Sequence, residues 1–342
     1  MQNLELLRSE LLCWFNHNQR DLPWRRTRDP YAIWLSEIML QQTRVAAVIP
    51  YFQRFLARFP TVESLAEAGE ADLLAHWAGL GYYYRARNLQ RAAQAIVQAG
   101  RFPASHEALL ELPGVGDYTA AAIASIAFNL PHAVLDGNVF RVLSRVFADR
   151  TNIASPAGKK HFAMLADKVL DRENPAAFNQ AMMELGATVC LPKSPQCLLC
   201  PIAFCCAARE QNQAAELPVK IVDRKSHKIE RTLYWIERGN EVLAWQRPQD
   251  SRLMPGFWEL PEHDQLPVAV AGEALGEFKH GITIYDYRFQ IVSAAVPDEA
   301  GVCQWLSAEQ LAELPLSTIF SKAMRVVRNQ NKKVRVQVTG SR

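Results

Sequence analysis

The chain has 342 residues, of which 49% are apolar and 21% charged, proportions that exclude a disordered protein and allow two globular domains. The formal net charge is only +3, so overall charge provides no argument for a nucleic-acid partner, and any basic surface must be local. Residues 1–9 are polar and charged, and the apolar run at 120–127 is too short to span a bilayer, so we expect a cytoplasmic protein without membrane contact.

Two helices are predicted near the start of the chain. Residues 1–20 place leucines and a phenylalanine on one stripe, which is typical of a helix that packs on a core. Asp29 and Pro30 then supply an N-cap and a first-turn proline for a second helix. Apolar residues surround Glu37 in that helix. The periodicity leaves open whether this carboxyl group is buried or lies outward near the helix N-terminus.

Three consecutive tyrosines follow a Gly-x-Gly motif at residues 79–84. They cannot all face a core, so we expect at least one to be exposed and available to stack on a base. Arg85 and Arg87 come next on a predicted helix, where they are expected to meet phosphates.

A glycine pair separates two further predicted helices. Gly114 and Gly116 permit positive φ and close backbone approach, so the amides that follow can converge on a phosphate. For so short a motif, an ordinary turn with a glycine C-cap is the favoured alternative. Asp136 stands just before the next predicted helix, where amide donors would hold its carboxylate ionised.

Seven cysteines, an odd number, favour a metal site over a disulfide framework. Cys190, Cys197, Cys200 and Cys206 are spaced C-x6-C-x2-C-x5-C, whereas zinc sites usually pair two C-x2-C arms across a longer loop. Cys205 adjoins Cys206 and stays open as a fourth ligand. The remaining cysteines, Cys13 and Cys303, are predicted to be ordinary buried thiols.

The composition becomes small and polar after residue 206, and residues 207–228 are predicted to be a linker. Residues 229–342 show strand alternation, with a hairpin turn predicted at Gly239-Asn240. Ser307 and Gln310 predict a capped helix, and a last helix is expected over about 318–329. This pattern predicts a second, smaller α+β domain.

Four motifs resemble those of one family. They are SEIMLQQT around Glu37, GLGYYxRARNL from Gly79, LPGVGxxTA from Leu112 and the four-cysteine spacing from Cys190. Together they resemble the adenine DNA glycosylases of the MutY type, in the helix-hairpin-helix superfamily that includes endonuclease III. The resemblance implies a mainly α glycosylase core over residues 1–206, and base excision repair as the function.

The resemblance also implies roles for individual residues. Glu37 would be the general acid and base, Asp136 would stabilise the oxocarbenium ion, and Tyr118 and Asn138 would support them. Gln42 and Thr43 would fill the gap near the opposite base. The adenine pocket would be lined by Trp24, Arg25, Leu40, Val45, Gln180 and Met183. Tyr82 would wedge beside the opposite base, Gly114 and Gly116 would grip the DNA backbone, and a structural 4Fe-4S cluster would be held by Cys190, Cys197, Cys200 and Cys206.

Tyr118 distinguishes between two hypotheses, a monofunctional glycosylase and a glycosylase that also cuts the strand. Glycosylases of the family that also cut the strand place a lysine at this position, because a Schiff base requires an amine. Tyrosine predicts a monofunctional enzyme. A bifunctional glycosylase/lyase and a non-enzymatic Fe-S DNA-binding protein are the alternatives.

The second domain, with its FWELPE segment, resembles the Nudix fold of 8-oxo-dGTP hydrolases. The acidic metal-binding motif of those hydrolases is absent, so we expect recognition of 8-oxoguanine rather than pyrophosphate hydrolysis. Where the family presents Phe-Ser-His, this chain has Ile282-Thr283-Ile284, so Thr283 keeps only the hydroxyl and His280 is a possible substitute for the histidine. The expected partner is double-stranded DNA with adenine opposite 8-oxoguanine or guanine, bound by a monomer at the nucleoid.

Overall fold

A computed structural model describes residues 4–222, 227–248, 250–251, 254–282, 284–296 and 301–339. The chain divides into two compact units, Met1–Val222 and Asp223–Arg342. Among the described residues, no helix combines the length and the apolar character that crossing a bilayer requires.

The first unit is helical, and one hydrophobic core runs through it. Trp34 and Trp77 are among its largest fully buried side chains. The helices are α1 (Leu4–Asn18), α2 (Pro30–Leu40), α3 (Val45–Arg58), α4 (Val62–Ala66), α5 (Glu70–Trp77), α6 (Tyr84–Ala99), α7 (His106–Leu110), α8 (Asp117–Phe128), α9 (Gly137–Val146), α10 (Pro156–Val169), α11 (Pro175–Thr188) and α12 (Ala207–Glu210).

Helix α1 buries the predicted stripe, which includes Leu7, Leu11 and Phe15. Cys13 is exposed, so the prediction of a buried thiol was wrong there. The reason is helical geometry, since a residue two positions from Leu11 lies on nearly the opposite face. Cys303 is buried as predicted.

Helix α2 begins where the sequence predicts. The Asp29 carboxylate accepts hydrogen bonds from the amides of Tyr31 (3.1 Å) and Ala32 (3.2 Å), and Pro30 occupies the first turn. Every residue from Tyr31 to Met39 is buried. Glu37 therefore lies inside the unit, which decides between the two orientations that periodicity left open.

Helices α7 and α8 are joined by the predicted glycine turn. Gly114 has φ +81°, and a Cβ there would lie 3.0 Å from Cβ of Asn88, so both conformation and space require glycine. Gly116 has φ −108°, and a Cβ there would meet nothing within 4 Å. The fold of the chain alone does not require the second glycine.

The segment after the cysteines packs on the first unit. Ala208 and Leu217 are buried, and the Ile153 amide donates to the Val219 carbonyl at 3.0 Å. The first unit thus extends to Val222, and the described part of the predicted linker up to that residue is not a free connection. Small polar composition did not reveal this, because two apolar side chains in the right places are enough to fix the segment.

The second unit is mixed α+β and contains two small sheets. Its elements are β1 (His227–Trp235), β2 (Glu237–Arg238), β3 (Glu241–Gln246), β4 (Trp258–Glu259), β5 (Val270–Ile282), β6 (Tyr285–Ala295), β7 (Cys303–Ser307), α13 (Ala308–Glu313) and α14 (Thr318–Thr339). One sheet has the order β1-β6-β5, with β1 parallel to β6 and β5 antiparallel to it. In the other, β3 pairs with β2, β4 and β7.

Local signals in the second unit are confirmed. The Gly239-Asn240 turn joins β2 to β3, and Ser307 and Gln310 form a capping box at the start of α13. The last helix starts at Thr318 as predicted and continues to Thr339. Strands β5 and β6 form a hairpin that closes at the pair Ile282↔Tyr285.

Candidate active site

Glu37 is buried in α2, and among the described residues one side chain hydrogen-bonds to its carboxyl group. The Tyr118 hydroxyl, from α8, donates to its Oε2 at 2.8 Å. Burial raises the pKa of Glu37 to about 7; the bond from Tyr118 opposes the rise, and the charge of Asp136 adds to it. A carboxyl group with this pKa is available as a proton donor near neutrality.

Asp136 caps helix α9. Its Oδ1 accepts from the amides of Asn138 (3.0 Å) and Val139 (2.8 Å), and its Oδ2 accepts from the Asn138 side-chain amide (2.8 Å). Burial raises the pKa of Asp136, while the bonds from Val139 and Asn138 and the charge of Arg141 lower it. The amide donors act as the sequence predicts, but the burial that outweighs them was not predicted.

The orientation of Asn138 is set by Arg141, one turn later in α9. The Arg141 guanidinium donates to Oδ1 of Asn138 at 2.8 Å, which leaves the amide nitrogen facing Asp136. It also donates to the carbonyls of Gly186 and Cys190, both at 2.7 Å. Gly186 is needed here, because a Cβ would lie 2.6 Å from Cβ of Asn138.

One cavity of about 510 Å³ joins these groups. The four predicted catalytic residues Glu37, Asp136, Tyr118 and Asn138 all line it. Gln42 and Thr43 lie at the same cavity. So do all six side chains predicted for the adenine pocket, namely Trp24, Arg25, Leu40, Val45, Gln180 and Met183.

Glu184 is a cavity residue that sequence reasoning missed. Arg20 donates to it through its main-chain amide (3.0 Å) and its guanidinium (2.8 and 2.7 Å), and Arg25 donates at 2.8 Å. Burial alone would raise the pKa of Glu184, but the bonds from the two arginines bring it down to about 2. The available signal was a carboxylate within an apolar helical run, the same signal that Glu37 shows.

Two turns, one of them at the cavity, contain non-glycine residues in left-handed conformation. Gln42 has φ 59° in the turn after α2, and Tyr82 has φ 49° in the turn before α6. The Tyr82 side chain is 51% exposed, as predicted for one of the three tyrosines. It does not line the cavity of Glu37.

Arg85 does not lie at the surface as the sequence suggested. Arg85 is only 2% exposed, and its guanidinium donates to main-chain carbonyls rather than facing solvent. Arg87 pairs with Glu70 at 2.7 Å. The prediction that Arg85 meets phosphates was wrong, because carbonyls supplied by distant segments bury it and helical periodicity does not encode them.

The predicted ligand cysteines come together at the end of the first unit. Cys200 is close enough to Cys190, Cys197 and Cys206 for each to influence its ionisation, whereas Cys205 reaches only Cys206 in this way. The Cys205 thiol instead donates to the Ile202 carbonyl at 3.4 Å. No three of the described His, Cys, Asp and Glu side chains converge to hold a single metal ion.

Arg145 fastens this cysteine loop to α9. Its guanidinium lies 3.2 Å from Sγ of Cys190 and donates to the carbonyls of Leu191 (2.7 Å) and Pro192 (3.2 Å). It also reaches the Leu217 carbonyl at 3.2 Å.

In the second unit, His280 pairs with Tyr287, two pairs from the closing pair Ile282↔Tyr285, and its Nδ1 accepts a hydrogen bond from Nζ of Lys322 in α14 at 3.0 Å. The Lys322 ammonium has no acceptor lone pair, so Nδ1 of His280 is the acceptor. Thr283, which is predicted to contact the lesion, lies outside the described residues.

Comparisons with known proteins show the family of the chain. Residues 35–169 match the model of the HhH-GPD superfamily of base excision DNA repair proteins. The adenine DNA glycosylase of Mus musculus is 35% identical, over 93% of this chain and 77% of that protein. The human adenine DNA glycosylase is 33% identical, over 94% of this chain and 74% of that protein. The chain belongs to the adenine DNA glycosylase family.

The matches to the adenine DNA glycosylases of mouse and human cover 93% and 94% of the chain, so they extend beyond the first unit. Solved structures match the helical part. A thermostable thymine-DNA glycosylase has a TM-score of 0.55 and 29% identity, over 61% of this chain and 97% of that one. Endonuclease III in a non-covalent complex with DNA has a TM-score of 0.52 over 62% of this chain and 99% of that one, and at 23% identity it shows a shared fold alone.

Proposed function

We propose that this adenine DNA glycosylase hydrolyses the N-glycosidic bond of adenine paired opposite 8-oxoguanine or guanine in double-stranded DNA. The observation that carries the proposal is the pair of carboxyl groups, Glu37 and Asp136, at one cavity in unlike settings. Glu37 has a pKa of about 7 and a single phenol donor, whereas Asp136 accepts three hydrogen bonds. One proton donor and one anion are what cleavage through an oxocarbenium ion needs.

Glu37 acts first as the acid. Its proton passes to the adenine ring, so that the base leaves as a neutral molecule and the bonding electrons go with it. The carboxylate that remains then accepts a proton from the water that adds to C1′ of the sugar. Glu37 is thereby protonated again, and the cycle closes without another reactant.

Asp136 stabilises the sugar cation. Its oxygens are held by Asn138 and Val139, so the charge is oriented before the bond breaks and needs no rearrangement. Asn138 is in turn held by Arg141. We assign Asn138 as a positioning residue for Asp136, and Tyr118 in the same sense for Glu37.

The adenine must leave the duplex to reach the cavity. A volume of about 510 Å³ is ample for a base with its sugar. The apolar walls from Trp24, Leu40, Val45 and Met183 would hold the ring. Arg25 and Gln180 supply polar edges, and Gln42, Thr43 and Tyr82 would occupy the space left in the duplex.

Reaction stops at base removal. Tyr118 has no amine with which to attack C1′, and its pKa is raised well above the ordinary value by burial, so the phenol stays neutral. We therefore propose a monofunctional enzyme. Strand cleavage by β-elimination at the rate of base release would contradict this assignment.

The cysteine loop fits a 4Fe-4S cluster held by Cys190, Cys197, Cys200 and Cys206. The fit rests on a donor set of four thiols that approach one another, with the Arg145 cation beside Cys190. Bound there, the cluster would supply structural cross-links, and hydrolysis of the glycosidic bond requires no redox step. Gly114 and Gly116 would hold the DNA backbone at the hairpin.

We assign lesion recognition to the second unit, which we interpret as Nudix-like. Adenine is an undamaged base, so the information that separates a mispair from A·T must come from the other strand. Thr283, which stands between β5 and β6 in the sequence, would supply a hydroxyl donor and acceptor suited to the altered edge of 8-oxoguanine.

Single-turnover release of adenine tests the function. Duplexes with adenine opposite 8-oxoguanine, guanine, cytosine or thymine are compared, and release is expected for the first two. Glu37→Gln keeps the size of the side chain and removes the transferable proton, so it should bind the same duplex without cutting. Cutting by Glu37→Gln at the wild-type rate would refute the mechanism, and absence of cutting by the wild type would favour the non-enzymatic alternative.

A further inference from the structure

The turns that hold Gln42 and Tyr82 are connected by one buried side chain, Arg85. Its Nη1 donates to the carbonyls of Ile38 (2.9 Å), Met39 (3.1 Å) and Gln41 (2.5 Å) at the end of α2. Ile38 and Met39 directly follow Glu37 in α2, and Gln41 comes just after the helix ends.

The other terminal nitrogen, Nη2, binds the turn that contains Tyr82. Nη2 of Arg85 donates to the carbonyls of Leu80 (3.0 Å) and Gly81 (3.1 Å), and to Oγ1 of Thr43 at 3.3 Å. A planar guanidinium can donate hydrogen bonds in two fixed directions at once. A lysine ammonium on its flexible side chain cannot reproduce this geometry.

Aromatic rings fix the position of the Arg85 guanidinium. The centroid of the Trp77 ring lies 5.3 Å from its carbon, and that of the Tyr82 ring 5.6 Å. Trp77 itself donates to the Gly81 carbonyl at 3.1 Å. The guanidinium that contacts the exposed Tyr82 ring therefore also binds the two carbonyls that precede Tyr82 in the chain.

The charged guanidinium of Arg85 binds mainly main-chain carbonyl groups. Among the residues that the structure describes, no carboxylate pairs with it, and all its acceptors are neutral. A cation at the C-terminal end of α2 meets the negative end of the helix dipole. The left-handed residues Gln42 and Tyr82 stand on either side of it, and such conformations persist only where the surroundings impose them.

We infer that Arg85 is a positioning residue that couples the duplex-probing turns of Gln42 and Tyr82 to the helix of Glu37, so that extrusion delivers adenine in register with its proton donor. The inference rests on the proposed function. It predicts that Arg85 matters for the extrusion step, and matters little for a substrate whose adenine is already free of its partner.

Arg85→Lys is the test, because it keeps the charge and loses the fork. With 2-aminopurine in place of adenine, fluorescence follows extrusion, and its rate should fall by about tenfold or more, since small misplacements have large effects on rate. Excision of adenine opposite 8-oxoguanine should fall in parallel. Excision of adenine opposite an abasic site, where extrusion is easy, should stay within about twofold of the wild type.

Arg91→Lys, at an exposed position farther along the same helix α6, is the matched control. It should leave all three rates unchanged. Equal losses on both substrates, or an unchanged extrusion rate in Arg85→Lys, would overturn the inference and reduce Arg85 to a fold-stabilising residue. A thermal melt accompanies each variant. If the wild type fails to release adenine opposite 8-oxoguanine, the proposed function fails, and this result is distinct from a failure of the Arg85 inference.

Discussion

The Tyr118 hydroxyl and the Glu37 carboxyl group form a buried 2.8 Å hydrogen bond across α8 and α2. The phenol also lies 3.3 Å from Sδ of Met183, so it is fixed on two sides. Burial of Glu37 raises its pKa and this bond limits the rise to a value of about 7. The pKa of the proton donor for base removal is thus set by two opposing effects, burial and the hydrogen bond from Tyr118.

That balance predicts a pH profile. Excision requires protonated Glu37, so the single-turnover rate should fall as pH rises through about 7. Tyr118→Phe removes the bond that lowers the pKa of Glu37, and the inflection should move to higher pH. Rates measured between about pH 5 and about pH 9 for both proteins decide the matter. An inflection that stays in place or moves to lower pH would contradict the assigned pair.

The free energy of unfolding should also depend on pH through the raised pKa of Glu37. Because the folded-state pKa of Glu37 is about 7 against an ordinary 4.5, folding stability contributed by its proton is lost as pH rises through that interval. Glu37→Gln does not titrate, so its free energy of unfolding should exceed that of the wild type above pH 7 by on the order of 3 kcal/mol. Denaturant unfolding at about pH 5 and about pH 8 measures the difference. A difference that is the same at both pH values would contradict the buried, raised carboxyl group.

Asp117 should weaken DNA binding. It is exposed in the first turn of α8, beside the glycine turn proposed to hold a phosphate. An acid there suits the helix dipole but repels a phosphate. Asp117→Asn should tighten binding by about fivefold at low salt and by less at high salt. Titration of a labelled duplex with wild type, Asp117→Asn and the control Glu10→Gln on α1 tests this, and equal affinities would place the phosphate elsewhere.

The two adjacent cysteines should behave differently. Cys206→Ser should lose iron and sulfide, because Cys206 approaches Cys190 and Cys197. Cys205→Ser should keep both, since Cys205 hydrogen-bonds to Ile202 instead. Iron and sulfide per chain and visible absorption are the measurements, with Cys13→Ser on the exposed face of α1 as the control. Retention of the cluster in Cys206→Ser and loss in Cys205→Ser would exchange the assignments.

Local chemistry could be predicted from the sequence where neighbours in the chain decide it. The Asp29 cap, the Gly114 turn and the Ser307 capping box depend on residues within one turn, and each is present. Motif resemblance also selected the residues around Glu37 and Asp136 that line one cavity.

Longer-range features could not be predicted in this way. An arginine that follows three tyrosines suggests a surface residue, yet Arg85 is buried by carbonyls from residues more than 40 positions away. The burial of Glu184 likewise depends on Arg20, at a separation of 164 residues. Buried charges of this kind are set by tertiary partners, and neither periodicity nor composition records them.

The parallel pairing of β1 with β6 has a consequence for synthesis of the chain. Among the described strands, β1 pairs with β6 at residues Tyr285 to Ser293, so it emerges from the ribosome long before that partner strand. Until then its edge is open to pairing with other chains. Fragments that stop between these two strands would carry an unpaired β1 and tend to aggregate. A fragment that ends at Val222 avoids this hazard and is the sounder choice for expressing the helical unit alone.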